Sequence, residues 1–141
     1  MIGVAMPMSA QREVGREHIR IAVRQTLGAL LERPPGTIAL ISAPGRPLRA
    51  ALPDHRIGLS ISHESGLALG AICLRGAVGI DVMRIEDQTG GEQNWQAVAR
   101  DYLGPQACAR IAAHPPALHT LAFAQEWTRH EACLKCHDLA L

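Results

Sequence analysis

Three side chains in this sequence are of types that handle protons and phosphate charge together: Asp81, Glu131 and Lys135. The last two lie in Phe123 to Lys135, a stretch without Pro or Gly whose spacing predicts a helix. On that helix Phe123, Trp127 and Leu134 form an apolar stripe. Glu131 sits at its edge, one turn before Lys135, so carboxylate and ammonium are expected side by side, roughly 5–6 Å apart at Cβ. A carboxylate near a buried face needs a cation or strong donors, because burying it bare is costly. Asp81 lies in Gly76 to Val82, a short apolar run bounded by Gly that reads as a buried strand. Asp is disfavoured inside strands, which places it at a strand end aimed at something positive. Two carboxylates on separate elements, with a lysine one turn from the second, suit a hard divalent cation and a phosphate. Mg²⁺ is usually held by one or two carboxylates plus substrate phosphate oxygens. The plainer alternatives are a surface Glu–Lys pair and an Asp that caps a loop.

The order of these residues carries a resemblance. Val78-Gly79-Ile80-Asp81-Val82, followed by Trp127-Thr128-Arg129-His130-Glu131-Ala132-Cys133-Leu134-Lys135, resembles the paired Gly-Ile-Asp and Trp-Thr-x-Lys-Glu-Ala-x-x-Lys motifs of the 4′-phosphopantetheinyl transferase superfamily. Ile61-Ser62-His63 is similar to the Ser-His motif of its larger, surfactin-type members, and Gly45-Arg46-Pro47 to their Gly-Lys-Pro. Arg100 to Pro105 is similar to the aromatic, Pro-containing segment between the acidic motifs. The resemblance runs from about residue 16 to the last residue, in family order.

It implies a transferase-like α+β fold and the transfer of the phosphopantetheine arm of coenzyme A to a serine of an acyl or peptidyl carrier protein. Asp81, Glu131 and Lys135 would be catalytic, with Asp81 and Glu131 as Mg²⁺ ligands. Arg46, Ser62, His63 and Lys135 would hold coenzyme A, with Arg46 and His63 at its 3′-phosphate. Several positions depart from the pattern. The second acid expected two residues after Asp81 is Met83, the lysine before the motif glutamate is His130, and Glu64 replaces a serine. Asp138 and Ala140 stand where glycines are expected. Met83, Glu64 and ends shorter than those of the larger relatives favour the alternative of a non-catalytic relative that binds coenzyme A or a carrier protein.

The elements that must position these residues follow from periodicity. Ser9 to Glu32 is expected as a helix with Ile19, Val23, Leu27, Leu30 and Leu31 on its apolar face, and it ends at Pro34-Pro35-Gly36. Arg12, Arg16, Arg20 and Arg24 repeat every four residues on it. They read as a solvated face paired with Glu13 and Glu17, or as a docking surface for an acidic partner. Strands are expected at Thr37 to Ser42 and Ile57 to Ser62, then a hairpin of Leu67 to Leu74 with Ala77 to Val82 that delivers Asp81. After a polar loop at 84–91 come helices at Glu92 to Leu103, with Trp95, Val98, Ala99 and Tyr102 inward, and at Pro105 to Ala113. The whole is expected as one α+β domain, residues 1–141, with a small antiparallel sheet packed with a long helix.

A chain of 141 residues, 48% of them hydrophobic, is enough for a real core. The net charge of +1 argues against a general nucleic-acid binder. No run reaches the ~18 apolar residues of a membrane span, and Met1 to Met8 lacks the basic start of a signal peptide. The expectation is a cytoplasmic protein with four reduced cysteines. The larger relatives extend further at both ends, so an exposed sheet edge covered by a second subunit is also expected. Cys133 to His137 matches the C-x-x-C-H pattern of haem attachment, and His130, Cys133 and His137 share one helix side as zinc ligands do. That pattern is short, overlaps the Glu131–Lys135 motif and lacks an export signal, so packed small thiols are the simpler account.

Overall fold

The computed structural model describes residues 1–7, 12–43, 46, 48–52, 56–85, 95–137 and 139. The expected cap at Ser9, most of the turn around Arg46, the loop at 86–91 and the helix start at Glu92 lie outside them. The described elements make an α+β arrangement in two compact units. One comprises residues 1–82 and 131–141, the other residues 83–130.

The first unit is built on a three-stranded antiparallel sheet in the order β1 (Ile2–Ala5), β5 (Leu67–Cys73), β4 (Gly58–Glu64). Helix α1 (Arg12–Leu30) lies on one face of it. Ile19, Val23 and Leu27, spaced four apart, are fully buried together with Ile38, Leu59 and Ala68. Gly70 on the central strand lets α1 approach, since a Cβ there would stand 2.8 Å from a Val23 methyl. Leu30, expected on the apolar face, is instead half exposed, and Leu31 packs on the core. Helical phase still directs Leu30 between Ile19 and Val23, so its exposure goes with its place as the last residue of α1 and not with rotation off the buried line. Arg20 of the basic stripe donates to the Leu40 carbonyl, so that position is structural.

The expected strand at Thr37 to Ser42 is only β2 (Leu40–Ile41), paired with β3 (Arg49–Ala50). The Thr37 hydroxyl and backbone N–H both bond to the Pro34 carbonyl, which closes a tight 3₁₀ turn over Pro35–Thr37 instead. The hairpin expected between Leu67 to Leu74 and Ala77 to Val82 is also not formed. The hairpin partner of β5 is β4, registered from Gly58↔Cys73 to Glu64↔Leu67. Its other edge is taken by β1, a strand the sequence did not reveal. With both edges of β5 filled, residues 76–82 run beside β4 as irregular chain, with a single parallel bridge, Ile57↔Gly76.

In the second unit, Ala99, Ile111, Ala122 and Phe123 form a buried cluster with Met83, Trp95, Leu103, Cys108 and Trp127 around it. The expected helix around Trp95 is α-helical over Trp95–Val98 (α2) and widens to a π-turn at Ala99–Leu103. The extra residue in that turn shifts the helical phase. Tyr102, expected inward, is therefore exposed and set edge-on against Trp127, and Val98, which precedes the turn and was also expected inward, is exposed too. Helix α3 (Gly104–Ala112) follows, then α4 (His119–Cys136), whose residues from Glu131 onward belong to the first unit. Among the described residues no helix is long and apolar enough to cross a membrane, and all four cysteines are free thiols.

Arg110 on α3 forks onto Glu126 on α4 through bonds of 2.9 and 2.7 Å, and Arg129 adds a third contact at 3.4 Å. The hydrogen bonds from Arg110 hold the Glu126 carboxyl below its ordinary range, against the opposing effect of burial. A carboxyl depressed in the folded state stabilises fully above its unfolded value, ~4.3, and that stabilisation is lost as pH falls through the lower folded value. Both tryptophans, Trp95 and Trp127, lie in this unit. Urea unfolding followed by tryptophan fluorescence should lose midpoint on acidification below that range, and Glu126→Gln should flatten this dependence.

Gly79 is required for space, not for its dihedral freedom. A Cβ there would collide with the Ala132 carbonyl oxygen and stand 2.9 Å from the Cys136 nitrogen, both on α4. Gly79→Ala should therefore cost at least about 3 kcal/mol in urea unfolding, the upper end for overpacking. Gly36→Ala, where nothing lies within 4 Å of the added carbon, should be near neutral.

Candidate active site

The bottom of the site is β4. Alternation along the strand turns Ser60 and Ser62 to one face and Leu59 and Ile61 to the α1 core. Both serines are buried, and both hydroxyls are used. Ser60 Oγ accepts the Ile80 N–H at 3.1 Å, and Ser62 Oγ accepts the Val82 N–H at 3.3 Å. These bonds do for the 80–82 backbone what a strand ladder would have done, and they fix Asp81 between two tethered residues. Ser62 then donates to Asp81 Oδ1 at 2.7 Å. Ser62 is thus a carboxylate-orienting group in this geometry, a role the motif alone did not reveal.

Above this floor comes the last turn of α4. The Nζ of Lys135 lies 2.5 Å from Asp81 Oδ1 and 3.3 Å from both Ser62 Oγ and the Ile80 carbonyl. The Asp81 side chain is 10% exposed and that of Lys135 31%. The side-by-side Glu131–Lys135 pair expected from helical spacing is not what forms. Among the described residues Lys135 pairs with Asp81, because Gly79 brings the Asp81 segment against the same helix turn. That leaves Glu131 Oε1 fully buried with no hydrogen-bond partner among the described residues. Unsatisfied buried oxygens are rare and call for a missing partner.

The remaining expected residues are less gathered. His63, half-buried, is on the opposite face of β4 from Ser62 by strand alternation. Arg46 is exposed on a bend. Met83 is no part of a ligand set: it packs on the apolar cluster of the second unit, where Met83→Glu would bury a charge. Among the described residues no three or more His, Cys, Asp or Glu side chains converge as metal ligands, which removes the His130–Cys133–His137 zinc alternative.

Among the described residues the donor set offers a carboxylate oxygen that is buried and unmatched, a second carboxylate held in place, and an ammonium paired with that second carboxylate. Hard oxygen donors of this kind fit Mg²⁺, which takes one or two carboxylates and leaves its other positions to water and phosphate. The chemistry open to such a set is charge neutralisation and proton transfer at a phosphoryl group.

A search of curated proteins finds no match to this chain. The model of the 4′-phosphopantetheinyl transferase superfamily matches residues 77–141, a span that holds Asp81, Glu131 and Lys135. Residues 77–141 are thus similar to the 4′-phosphopantetheinyl transferase superfamily, in keeping with the order of the Asp81 and Glu131–Lys135 motifs.

Proposed function

We propose that the protein is a Mg²⁺-dependent transferase of the superfamily's fold. It would move the 4′-phosphopantetheine arm of coenzyme A to a serine hydroxyl of an acyl or peptidyl carrier protein. The observation that carries this reading is the buried, unpartnered Oε1 of Glu131 in the turn that also carries Lys135. Leaving such an oxygen without a partner costs about 1–3 kcal/mol, and more when it is charged. A fold keeps a group of that kind when a ligand supplies the partner.

Asp81 and Glu131 would hold the Mg²⁺. When bound, it neutralises the pyrophosphate and polarises the phosphorus under attack. Ser62 keeps the Asp81 carboxylate oriented. Glu131, directly or through a water, accepts the proton of the carrier serine as its oxygen bonds to phosphorus. The pyrophosphate P–O bond breaks, and adenosine 3′,5′-bisphosphate leaves with the electron pair. The Lys135 ammonium stabilises the charge that grows on that leaving phosphate. Ser62 and His63 face opposite sides of β4, so they would meet different parts of coenzyme A. Ser62 serves the pyrophosphate end, and His63, with Arg46, the 3′-phosphate.

A second reading, a non-catalytic relative that binds coenzyme A or a carrier protein, is favoured by Met83. Its side chain is committed to apolar packing where larger relatives place an acid. Mass spectrometry of a panel of apo carrier proteins, incubated with the protein, Mg²⁺ and coenzyme A, separates the two. Transfer adds one phosphopantetheine to the carrier. Coenzyme A binding without any modified carrier supports the second reading.

Two variants sharpen the test. Glu131→Gln should abolish transfer, yet leave the unfolding midpoint unchanged or raised, since it removes an unmatched buried charge. Lys135→Ala should cut turnover by about 10²–10³, as for loss of one electrostatic stabiliser. Its coenzyme A affinity, measured by calorimetry, should fall much less, because the contact strengthens in the transition state.

A further inference from the structure

We infer that Lys135 serves as an internal counter-cation for Asp81, so that a divalent cation and the substrate pyrophosphate must exchange it off together. This rests on the transferase reading, and it adds an order of assembly that the reading does not contain.

The geometry is specific about which carboxylate is satisfied. Asp81 Oδ1 takes the Lys135 ammonium at 2.5 Å and the Ser62 hydroxyl at 2.7 Å. Glu131, one turn earlier on the same helix, has a buried oxygen with no hydrogen-bond partner among the described residues. The trio of Asp81, Glu131 and Lys135 therefore sums to one negative charge when all are ionised, and the single cation is spent on Asp81. A divalent cation bound at ~2.1 Å from that carboxylate would stand within a few ångströms of the ammonium. Like charges that close, on side chains only 10% and 31% exposed, repel strongly.

Lys135 has somewhere to go only when an anion arrives. Its other two contacts, to Ser62 and the Ile80 carbonyl, are both 3.3 Å long, against 2.5 Å for the ion pair with Asp81. The four-carbon stem lets the ammonium swing as a point charge. A pyrophosphate offers it a stronger partner and frees Asp81 for the metal. Metal and coenzyme A then bind cooperatively, and by linkage each tightens the other by the same factor.

The test measures Mn²⁺ binding to the free full-length protein by electron paramagnetic resonance. Wild type is compared with Lys135→Gln and Lys135→Met, each checked for folding by thermal unfolding. Both variants should bind Mn²⁺ at least about tenfold tighter than wild type, the scale of one charge-assisted contact. Asp81→Asn added to either should remove the gain. Saturating coenzyme A should tighten Mn²⁺ binding in the wild type and much less in the variants. Equal or weaker Mn²⁺ binding in the folded variants overturns the inference. If the wild type still modifies a carrier protein, the transferase reading survives that result. Should neither variant fold, the wild type decides: an Mn²⁺ affinity indifferent to coenzyme A overturns it. A wild type that modifies no carrier and binds Mn²⁺ in neither condition overturns both.

Discussion

The close approach of the Gly79 backbone to the last turns of α4 is the constraint on which the site depends. A side chain at position 79 would meet the Ala132 carbonyl and the Cys136 nitrogen. Without one, the segment carrying Asp81 lies against the turn carrying Glu131 and Lys135, and a 2.5 Å ion pair closes between them. The contact joins residues more than fifty positions apart, so chain entropy opposes it. What offsets that cost is mostly the floor beneath: a sheet anchored to α1 by Ile19, Val23 and Leu27, and two buried serines that tie down the 80–82 backbone.

Those serines show how side chains can serve two amides of an irregular, half-buried segment. Residues 76–82 cannot pair with β5, whose edges β1 and β4 occupy, and beside β4 they make an isolated parallel bridge, Ile57↔Gly76, in place of a ladder. Their amides still need acceptors. Ser60 and Ser62, two apart on one face of β4, supply them at the right spacing. Ser62 does a second thing with the same oxygen by donating its proton to Asp81. Substituting it would thus disturb backbone and carboxylate together, which ties the stability of the segment to the chemistry of the site.

The second unit is held differently. Its core is an apolar cluster around Ile111 and Phe123, and its main polar tie is the fork of Arg110 on Glu126. Met83 belongs to that cluster. The residue that departs most from the family pattern therefore has a packing role, and its identity is explained by apolar burial without reference to a metal.

Much of this was legible from residue types and local spacing. The i, i+4 rhythm of Ile19, Val23 and Leu27 set the buried face of α1, and the apolar runs at Ile57 to Ser62 and Leu67 to Leu74 marked β4 and β5. The Pro-free stretch from Phe123 to Lys135 marked α4, and the order of Asp81, Glu131 and Lys135 carried the resemblance to the superfamily. Local spacing is a sufficient guide there because helix phase and strand alternation depend only on near neighbours. Tertiary structure decided the rest. Whether residues 76–82 became the hairpin partner of β5 depended on a free edge of that strand, and β4 and the distant β1 had taken both. Whether Lys135 paired with Glu131 or Asp81 depended on Gly79 admitting a nearer carboxylate than the one four residues away. Partner choice is a competition across the fold, settled by which groups packing brings within ångströms, and no local period encodes it.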